Sequence, residues 1–204
     1  MHSQGTDCLS TESHKNTDAQ DLWAIQATLN GDPEAFEAIV KRYTPLLYSL
    51  AYRLLGHGEE AEDAVQEILE KAFRALPSFR ISKRFFPWLY TIGLNHLRSL
   101  ERRRKRRSRL KLFSTEPERV LESAASEQGN PVRRSELKEG ERLAQEALDT
   151  LRVEYREVFV LRQIQGLSVQ EVAEVLLIPE GTVKTHLHRA RKQMIDFLSR
   201  KGWD

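Results

Sequence analysis

The chain has a single cysteine, Cys8, among 204 residues. One cysteine can form no internal disulfide, and it cannot supply the thiolate cluster of a structural zinc site. The apolar run over 45–55 is interrupted by Arg53 and is shorter than the roughly 20 residues that cross a bilayer. The N-terminus lacks the basic-then-apolar pattern of a secretion signal. These absences predict a soluble protein of the reducing cytoplasm, with no membrane insertion.

The local motifs that most often carry catalysis or bind a cofactor are also missing. The sequence has no glycine-rich phosphate loop, no nucleophile elbow and no cluster of cysteine and histidine. His186 and His188 are two positions apart in a predicted helix, so their rings point about 200° apart and cannot hold one metal ion. The carboxylates of 59–70 lie along one helix rather than converging in a cleft, which disfavours a metal-dependent nuclease. We therefore predict no catalytic residue, no metal and no cofactor.

Positive charge is concentrated in one segment. The whole chain has a formal net charge of only +2. Residues 98–111 contain nine lysines and arginines against one acid, Glu101, so that segment carries +8 and the remaining residues carry −6. Such asymmetry predicts one surface for a polyanion and other surfaces for different partners.

Apolar residues recur at helical spacing along most of the chain, and no segment alternates apolar and polar residues for long enough to form a strand. The helical patterns fall into one domain over 21–107 and a second over 136–204. Between them, 108–135 is rich in serine, glutamate and proline, which predicts a flexible linker. Residues 1–20 are polar without periodicity and predict a flexible tail. The sequence therefore predicts an all-α protein of two small helical domains, the second containing a helix-turn-helix.

Capping residues predict where the helices of the first domain begin. Asp32 and Pro33 have the character of an N-cap and a first helical position. A second helix is expected to open at Gly58, with Phe73 on its inner stripe, and a third at Pro87.

The segment 166–194 has the pattern of a helix-turn-helix. Ser168 and Glu171 predict a capping box on the first helix, and Pro179 is expected at the first position of the second helix. The second helix has an apolar stripe at steps of four, three and four, formed by Val183, Leu187, Ala190 and Met194. Its outer face bears hydroxyl, imidazole and cationic groups, which suit a major groove lined by acceptors and phosphates: Thr182, Lys184, Thr185, His186, His188, Arg189 and Lys192.

Residues 79–90 contain five of the chain's sixteen aromatic residues, interspersed with cations. Aromatic rings stack on unpaired bases and cations hold phosphates, so the mixture predicts a site for single-stranded DNA. The alternative is that Phe85, Phe86 and Trp88 fill a helical core. We favour the core for Trp88 and a functional role for the loop from Phe79 to Phe86.

Three stretches, in this order, resemble the extracytoplasmic-function (ECF) group of bacterial RNA polymerase sigma factors: DAVQE at 63–67, WLYTIGLN at 88–95 with the arginines behind it, and YREVFVLRQIQGLSVQEVAEVLLIPEGTVKTHLHRAR at 155–191. The resemblance implies that the first domain docks on the β′ clamp helices of core RNA polymerase through Asp63, Gln66, Glu67 and Glu70. It implies that the same domain melts the −10 promoter element through Phe79, Arg80, Lys83, Arg84, Phe85, Phe86, Asn95, Arg98 and Arg102. The second domain would read the −35 element with the outer face of its second helix and contact the β flap. An anti-sigma factor is an expected further partner.

The sequence departs from the family pattern at two positions of the helix-turn-helix. Leu177 stands where the family usually has glycine, and a left-handed conformation costs a non-glycine residue about 1–2 kcal/mol. His186 stands where the family often has arginine, which makes stronger contacts to phosphate and guanine than a neutral imidazole. A stand-alone helix-turn-helix regulator of duplex operators is the alternative function. The aromatic and basic loop over 79–86 disfavours this alternative, because a simple repressor does not need exposed aromatic residues beside cations.

Overall fold

A computed structural model describes residues 7–111 and 131–203, with side chains described for 18–107 and 139–203. Within these two ranges the regular elements are helical and no strand is present, as the sequence predicts. A 3₁₀ turn over Pro33–Phe36, another over Leu76–Ser78 and a π turn over Val160–Ile164 join some of the helices. The helices are α1 (Asp7–Leu29), α2 (Glu37–Leu55), α3 (Gly58–Ala75), α4 (Phe85–Lys111), α5 (Pro131–Thr150), α6 (Val153–Phe159), α7 (Val169–Leu176) and α8 (Glu180–Arg200).

Helices α1 to α4 form the first bundle, in which α2, α3 and α4 pack against one another. Its centre is made of side chains that are fully buried or nearly so, among them Leu47, Ile68 and Leu89. Asp32 caps the first turn through a 3.3 Å hydrogen bond from the Ala35 N–H, although that turn is 3₁₀ rather than α. The predicted cap is therefore confirmed.

The third long helix of this bundle begins earlier than predicted. Helix α3 opens at Gly58 as expected, but α4 starts at Phe85, two positions before Pro87. The first turn of a helix has no intrahelical acceptor for its N–H groups, so a proline there removes no hydrogen bond. Proline therefore marks the first turn of α4 rather than its first residue.

Helix α1 begins at Asp7, within the segment 1–20 for which the sequence predicts a flexible tail. The anchor of this helix lies further along the chain, where Ile25 and the carboxylate of Asp21 are completely buried. Asp21 accepts hydrogen bonds from the Tyr43 hydroxyl and from Arg42. Burial raises the pKa of Asp21 by more than these two partners lower it. Because α1 extends from this anchored segment, apolar periodicity could not reveal its first turns.

Helices α5 to α8 form the second bundle, and α6 packs closely against α8. The two bundles share one continuous apolar core, since α4 contacts α7. Most of the predicted linker, 112–130, lies outside the described residues. Of the remaining positions of that segment, 108–111 are the end of α4 and 131–135 are the beginning of α5.

Candidate nucleic-acid interface

The first helix of the helix-turn-helix, α7, begins with the capping box that the sequence predicts. The Glu171 N–H donates to the Ser168 hydroxyl oxygen at 3.1 Å, and the Ser168 N–H donates to the Glu171 carboxylate at 2.8 Å. The helix ends at Leu176, and its C-cap, Leu177, adopts the left-handed conformation with φ 56° and ψ 43° and is 82% exposed. Pro179 is the N-cap of α8 and not its first residue, so its predicted position is wrong by one.

The second helix, α8, buries the apolar stripe that the sequence predicts: Val183, Leu187, Ala190 and Met194. The opposite face carries Lys184, Thr185, His188, Arg189 and Lys192 in exposed positions, whereas Thr182 and His186 are half-buried. Thr185 donates its hydroxyl proton to the Gly181 carbonyl at 2.9 Å, which leaves its oxygen lone pairs free to accept. Helix α8 therefore presents a polar and cationic face.

A tyrosine from outside the helix-turn-helix lies beneath this face. Tyr155 of α6 is 7% exposed, and its ring meets the His186 ring edge-on at 5.1 Å between centroids. Arg189 donates to the Tyr155 hydroxyl oxygen at 3.1 Å. The Nδ1 atom of His186 is buried and has no hydrogen-bond partner. Two of the seven predicted −35 residues thus contact a side chain that the sequence did not single out.

The aromatic rings of the 79–86 loop are not exposed, contrary to the expectation that they stack on bases. Phe79, Phe85 and Phe86 are only 6%, 1% and 8% exposed. Phe85 packs against Tyr43 and Phe79 with centroids 5.7 Å and 5.6 Å apart, and Trp88 lies 5.4 Å from Phe85. Aromatic residues gain more from filling a bundle core than from solvent exposure, and edge-on packing adds to that gain. The core assignment preferred for Trp88 therefore extends to the three phenylalanines.

The loop instead exposes its cations, Arg80, Lys83 and Arg84, together with Ile81, which is 47% exposed. Asn95 and Arg102 are exposed on α4, about two and four turns after Pro87 in the direction of the basic segment. An apolar residue between cations of a turn was the signal that could have identified Ile81.

Two of the predicted −10 arginines hold glutamates of the second bundle. Arg98 makes a bidentate pair with Glu157, with both N–O distances 2.6 Å, and Arg84 bonds Glu171 at 2.7 Å. Both glutamates are buried. Burial raises the pKa of Glu171, but hydrogen bonds from Ser168 and Arg84 outweigh it and hold that pKa below its usual value. The hydrogen bonds from Arg98 to Glu157 raise the pKa of Arg98.

Helix α3 carries the predicted docking residues on its exposed face: Asp63, Gln66, Glu67 and Glu70. Exposed pairs link Glu67 to Lys71 at 3.2 Å and Glu70 to Arg74 at 3.0 Å. Such pairs contribute little to stability, so the face is available to a cationic partner.

Two neighbours of this face were not anticipated. Phe73, expected on the inner stripe, is 41% exposed and touches only the edge of Phe36 among the described aromatic rings, with centroids 5.1 Å apart. His96 is buried against α3, where Lys71 donates to its Nδ1 at 2.5 Å and Glu67 lies 3.5 Å from Nε2. The exposed ring of Phe73 therefore lies beside the acidic face, and the buried His96 contacts two of the charged side chains of α3, Glu67 and Lys71.

The comparisons with known proteins cover both bundles. A family model described as Sigma-70 region 2 matches residues 39–107, and one described as Sigma-70, region 4 matches residues 141–194. The ECF RNA polymerase sigma factor SigW of Bacillus subtilis is 35% identical over 183 residues, covering 83% of this chain and 92% of that protein. The chain belongs to the ECF family of RNA polymerase sigma factors.

Other relatives agree with this assignment. The sigma-E factor of Escherichia coli is 32% identical over 170 residues, covering 82% of this sigma factor and 88% of its own length. Among solved structures, CnrH in complex with the cytosolic domain of CnrY gives a TM-score of 0.65 at 26% identity, covering 89% of this chain and 98% of that one. The sigma factor RpoE in complex with the anti-sigma factor NepR from Bartonella quintana gives 0.63 at 25% identity, covering 80% and 96%.

The sigma factor is an initiation subunit of transcription, which recognises promoter DNA together with core RNA polymerase. The stand-alone regulator is not favoured, because the region 2 match and the region 4 match occur in one chain. Among the described residues no three metal-ligating side chains are grouped for an ion, and none of the described helices is long and apolar enough to cross a membrane. Sigma factors are generally not enzymes.

Proposed function

We propose that α8 reads the −35 element. The exposed face of Lys184, Thr185, His188, Arg189 and Lys192 supports this assignment more than any other observation. Cations and hydroxyl groups on one helix face can contact both base edges and phosphates in a major groove. Run-off transcription by core polymerase with this sigma factor on a randomised promoter library tests the proposal and identifies the −35 sequence.

Two kinds of substitution distinguish recognition of specific bases from electrostatic attraction to the DNA backbone. His188→Ala is expected to relax base preference within the −35 element, whereas Lys192→Ala is expected to weaken binding to all sequences alike. Lys41→Ala serves as the control, because it removes an exposed cation from the first bundle. Unchanged −35 preferences in the His188→Ala variant, together with unchanged salt dependence in the Lys192→Ala variant, would contradict the assignment.

We propose that the cationic loop and the outer face of α4 bind the −10 element. Arg80, Lys83, Asn95 and Arg102 are exposed there and combine charge with a base-reading amide. The buried phenylalanines hold the loop in place and do not stack on bases in this conformation. The loop would therefore act through its polar groups and Ile81.

The test removes loop charge without disturbing the aromatic core. Arg80→Ala combined with Lys83→Ala is expected to reduce permanganate reactivity of −10 thymines and to weaken holoenzyme binding to a pre-melted promoter. The matched control is Lys41→Ala combined with Arg53→Ala, which removes the same charge from α2 of the same bundle and leaves the Glu70–Arg74 pair of the docking face intact. Equal permanganate reactivity in the two double variants would refute the assignment.

We propose that the exposed face of α3 docks on the β′ clamp helices, and that the second bundle contacts the β flap. Asp63→Arg with Glu70→Arg is expected to abolish core binding, measured by fluorescence anisotropy. This choice leaves Glu67 in contact with buried His96. A control of equal charge change is Glu34→Arg with Glu37→Arg. Both residues are exposed, the first in the 3₁₀ turn before α2 and the second at the first position of α2. Wild-type affinity in the first double variant would show that docking occurs elsewhere.

We propose that the two bundles separate before promoter binding. The −35 and −10 elements are centred about 25 base pairs apart, or roughly 85 Å along B-DNA. In the structure, however, Arg84 of the −10 loop lies 2.7 Å from Glu171 of the helix-turn-helix. Glu157→Gln with Glu171→Gln weakens the bridges and keeps the capping box, since glutamine also serves it. The radius of gyration of this double variant should exceed that of the wild type. The control is Glu174→Gln, at an exposed position of α7, which should leave the radius unchanged.

We propose that the sigma factor acts in the cytoplasm, where core polymerase and promoters are found, and that an anti-sigma factor holds it inactive. The solved complex of its relative RpoE with NepR supports this partner class. The test is purification of tagged sigma factor from native cells before and after stress. A stoichiometric protein that blocks run-off transcription when added back is expected. If the sigma factor is fully active and unbound before stress, the proposal is wrong.

A further inference from the structure

Tyr155 is a fixed point beneath the recognition helix. It lies on α6, 34 positions from Arg189 in sequence, and α6 packs directly against α8. Its side chain is 7% exposed, so the ring is held by the surrounding core. The Arg152 guanidinium lies over the ring at 5.8 Å from the centroid. A buried ring with two side-chain torsions is a rigid reference for the mobile side chains that touch it.

Arg189 is such a mobile side chain. The Tyr155 hydroxyl accepts one of its five N–H groups at 3.1 Å, which leaves four donors for other partners. A free arginine samples many rotamers, and bidentate contact with guanine requires one orientation of the guanidinium plane. An intramolecular hydrogen bond that selects this orientation in advance improves discrimination between bases without contacting DNA.

His186 is oriented by the same ring. The Tyr155 edge packs on the imidazole, and the burial of Nδ1 leaves Nε2 as the ring nitrogen available to a base or a phosphate. His186 and Arg189 are one turn apart on one face of α8, so a single tyrosine contacts both. A histidine at this position therefore differs from an arginine in reach and also in its dependence on Tyr155.

We propose that Tyr155 is a positioning residue for promoter selection, which sets the base preferences of Arg189 and His186 within the −35 element. The inference rests on the proposed role of α8. It assigns part of the specificity to a buried side chain of α6 that does not face the groove.

The experiment is holoenzyme transcription from a library with a fixed −10 element and a randomised −35 element. Arg189→Ala identifies the base position that depends on the guanidinium. Tyr155→Phe retains the ring and its His186 contact but removes the hydrogen bond to Arg189. It should relax preference at that same position by about fivefold or more. Combining the two substitutions should add no further relaxation.

Tyr155→Leu also removes the aromatic edge and should relax a second position, the one that His186→Ala identifies. Tyr48→Phe is the control, a half-buried tyrosine of the first bundle whose loss of a hydroxyl should leave every −35 preference intact. If Tyr155→Phe keeps the wild-type preference where Arg189→Ala has lost it, the positioning role is refuted. If Thr185→Ala, His188→Ala and Arg189→Ala all keep wild-type preferences, the −35 role of α8 fails and the positioning role fails with it.

Discussion

Replacing Leu177 by glycine should stabilise the sigma factor. Leu177 is the one non-glycine residue with positive φ among the described residues, at φ 56°. The left-handed conformation costs a residue with a Cβ atom about 1–2 kcal/mol. Glycine relieves that strain, but its greater conformational freedom in the unfolded chain offsets about 0.4–1 kcal/mol of the gain. Since the leucine side chain is 82% exposed, little burial is lost.

The expected net gain is about 0.5–1 kcal/mol, which raises Tm by about 1–4 °C in a chain of this size. Thermal and urea unfolding of the full-length chain, followed by circular dichroism, measure it. Leu177→Ala is the matched control, because it removes the exposed side chain and keeps the Cβ atom that causes the strain. It should stay within about 0.5 kcal/mol of wild type. A glycine variant no more stable than the alanine variant would refute the argument from backbone strain.

Three further predictions concern one helix cap and two buried polar groups. Ser168→Ala removes the acceptor for the Glu171 N–H and should cost about 1 kcal/mol in urea unfolding, whereas Ser168→Thr should restore most of it. Tyr43→Phe removes a donor from the buried Asp21 carboxylate and should cost about 2 kcal/mol, and an unchanged midpoint would show that Asp21 is satisfied without it. Burial and Lys71 lower the pKa of His96 below 6.5, so below that pH the unfolded chain binds a proton that the folded chain does not. Tm should therefore fall as pH drops below about 6.5, and the His96→Gln variant should show a weaker dependence of Tm on pH. The same dependence in wild type and variant would contradict this prediction.

Sequence reasoning succeeded where the deciding interactions span three or four positions. The capping box of Ser168 and Glu171, the buried stripe of α8 from Val183 to Met194 and the exposed acids of α3 all follow from helical periodicity and local hydrogen bonding. The left-handed turn at Leu177 also forms at the position where the family pattern places glycine. Such features depend on near neighbours alone, so a single chain contains the information.

Whether a side chain is buried, exposed or paired was decided by contacts between distant segments. Composition made the loop from Phe79 to Phe86 resemble a base-stacking platform, but Tyr43 and Trp88 enclose its rings in the core. Nothing near Arg98 in sequence predicts that it will pair with Glu157, 59 positions away.

The sequence by itself determined that this protein is helical and to which family it belongs, because those properties depend on local pattern and motif order. It also predicted which segment reads duplex DNA. Only the tertiary structure decided that the loop offers cations rather than rings, that Arg84 and Arg98 are held by glutamates, and that Tyr155 supports Arg189. These outcomes depend on which helices pack together. The free energy of that packing is summed over many distant pairs, and no short stretch of the chain encodes it.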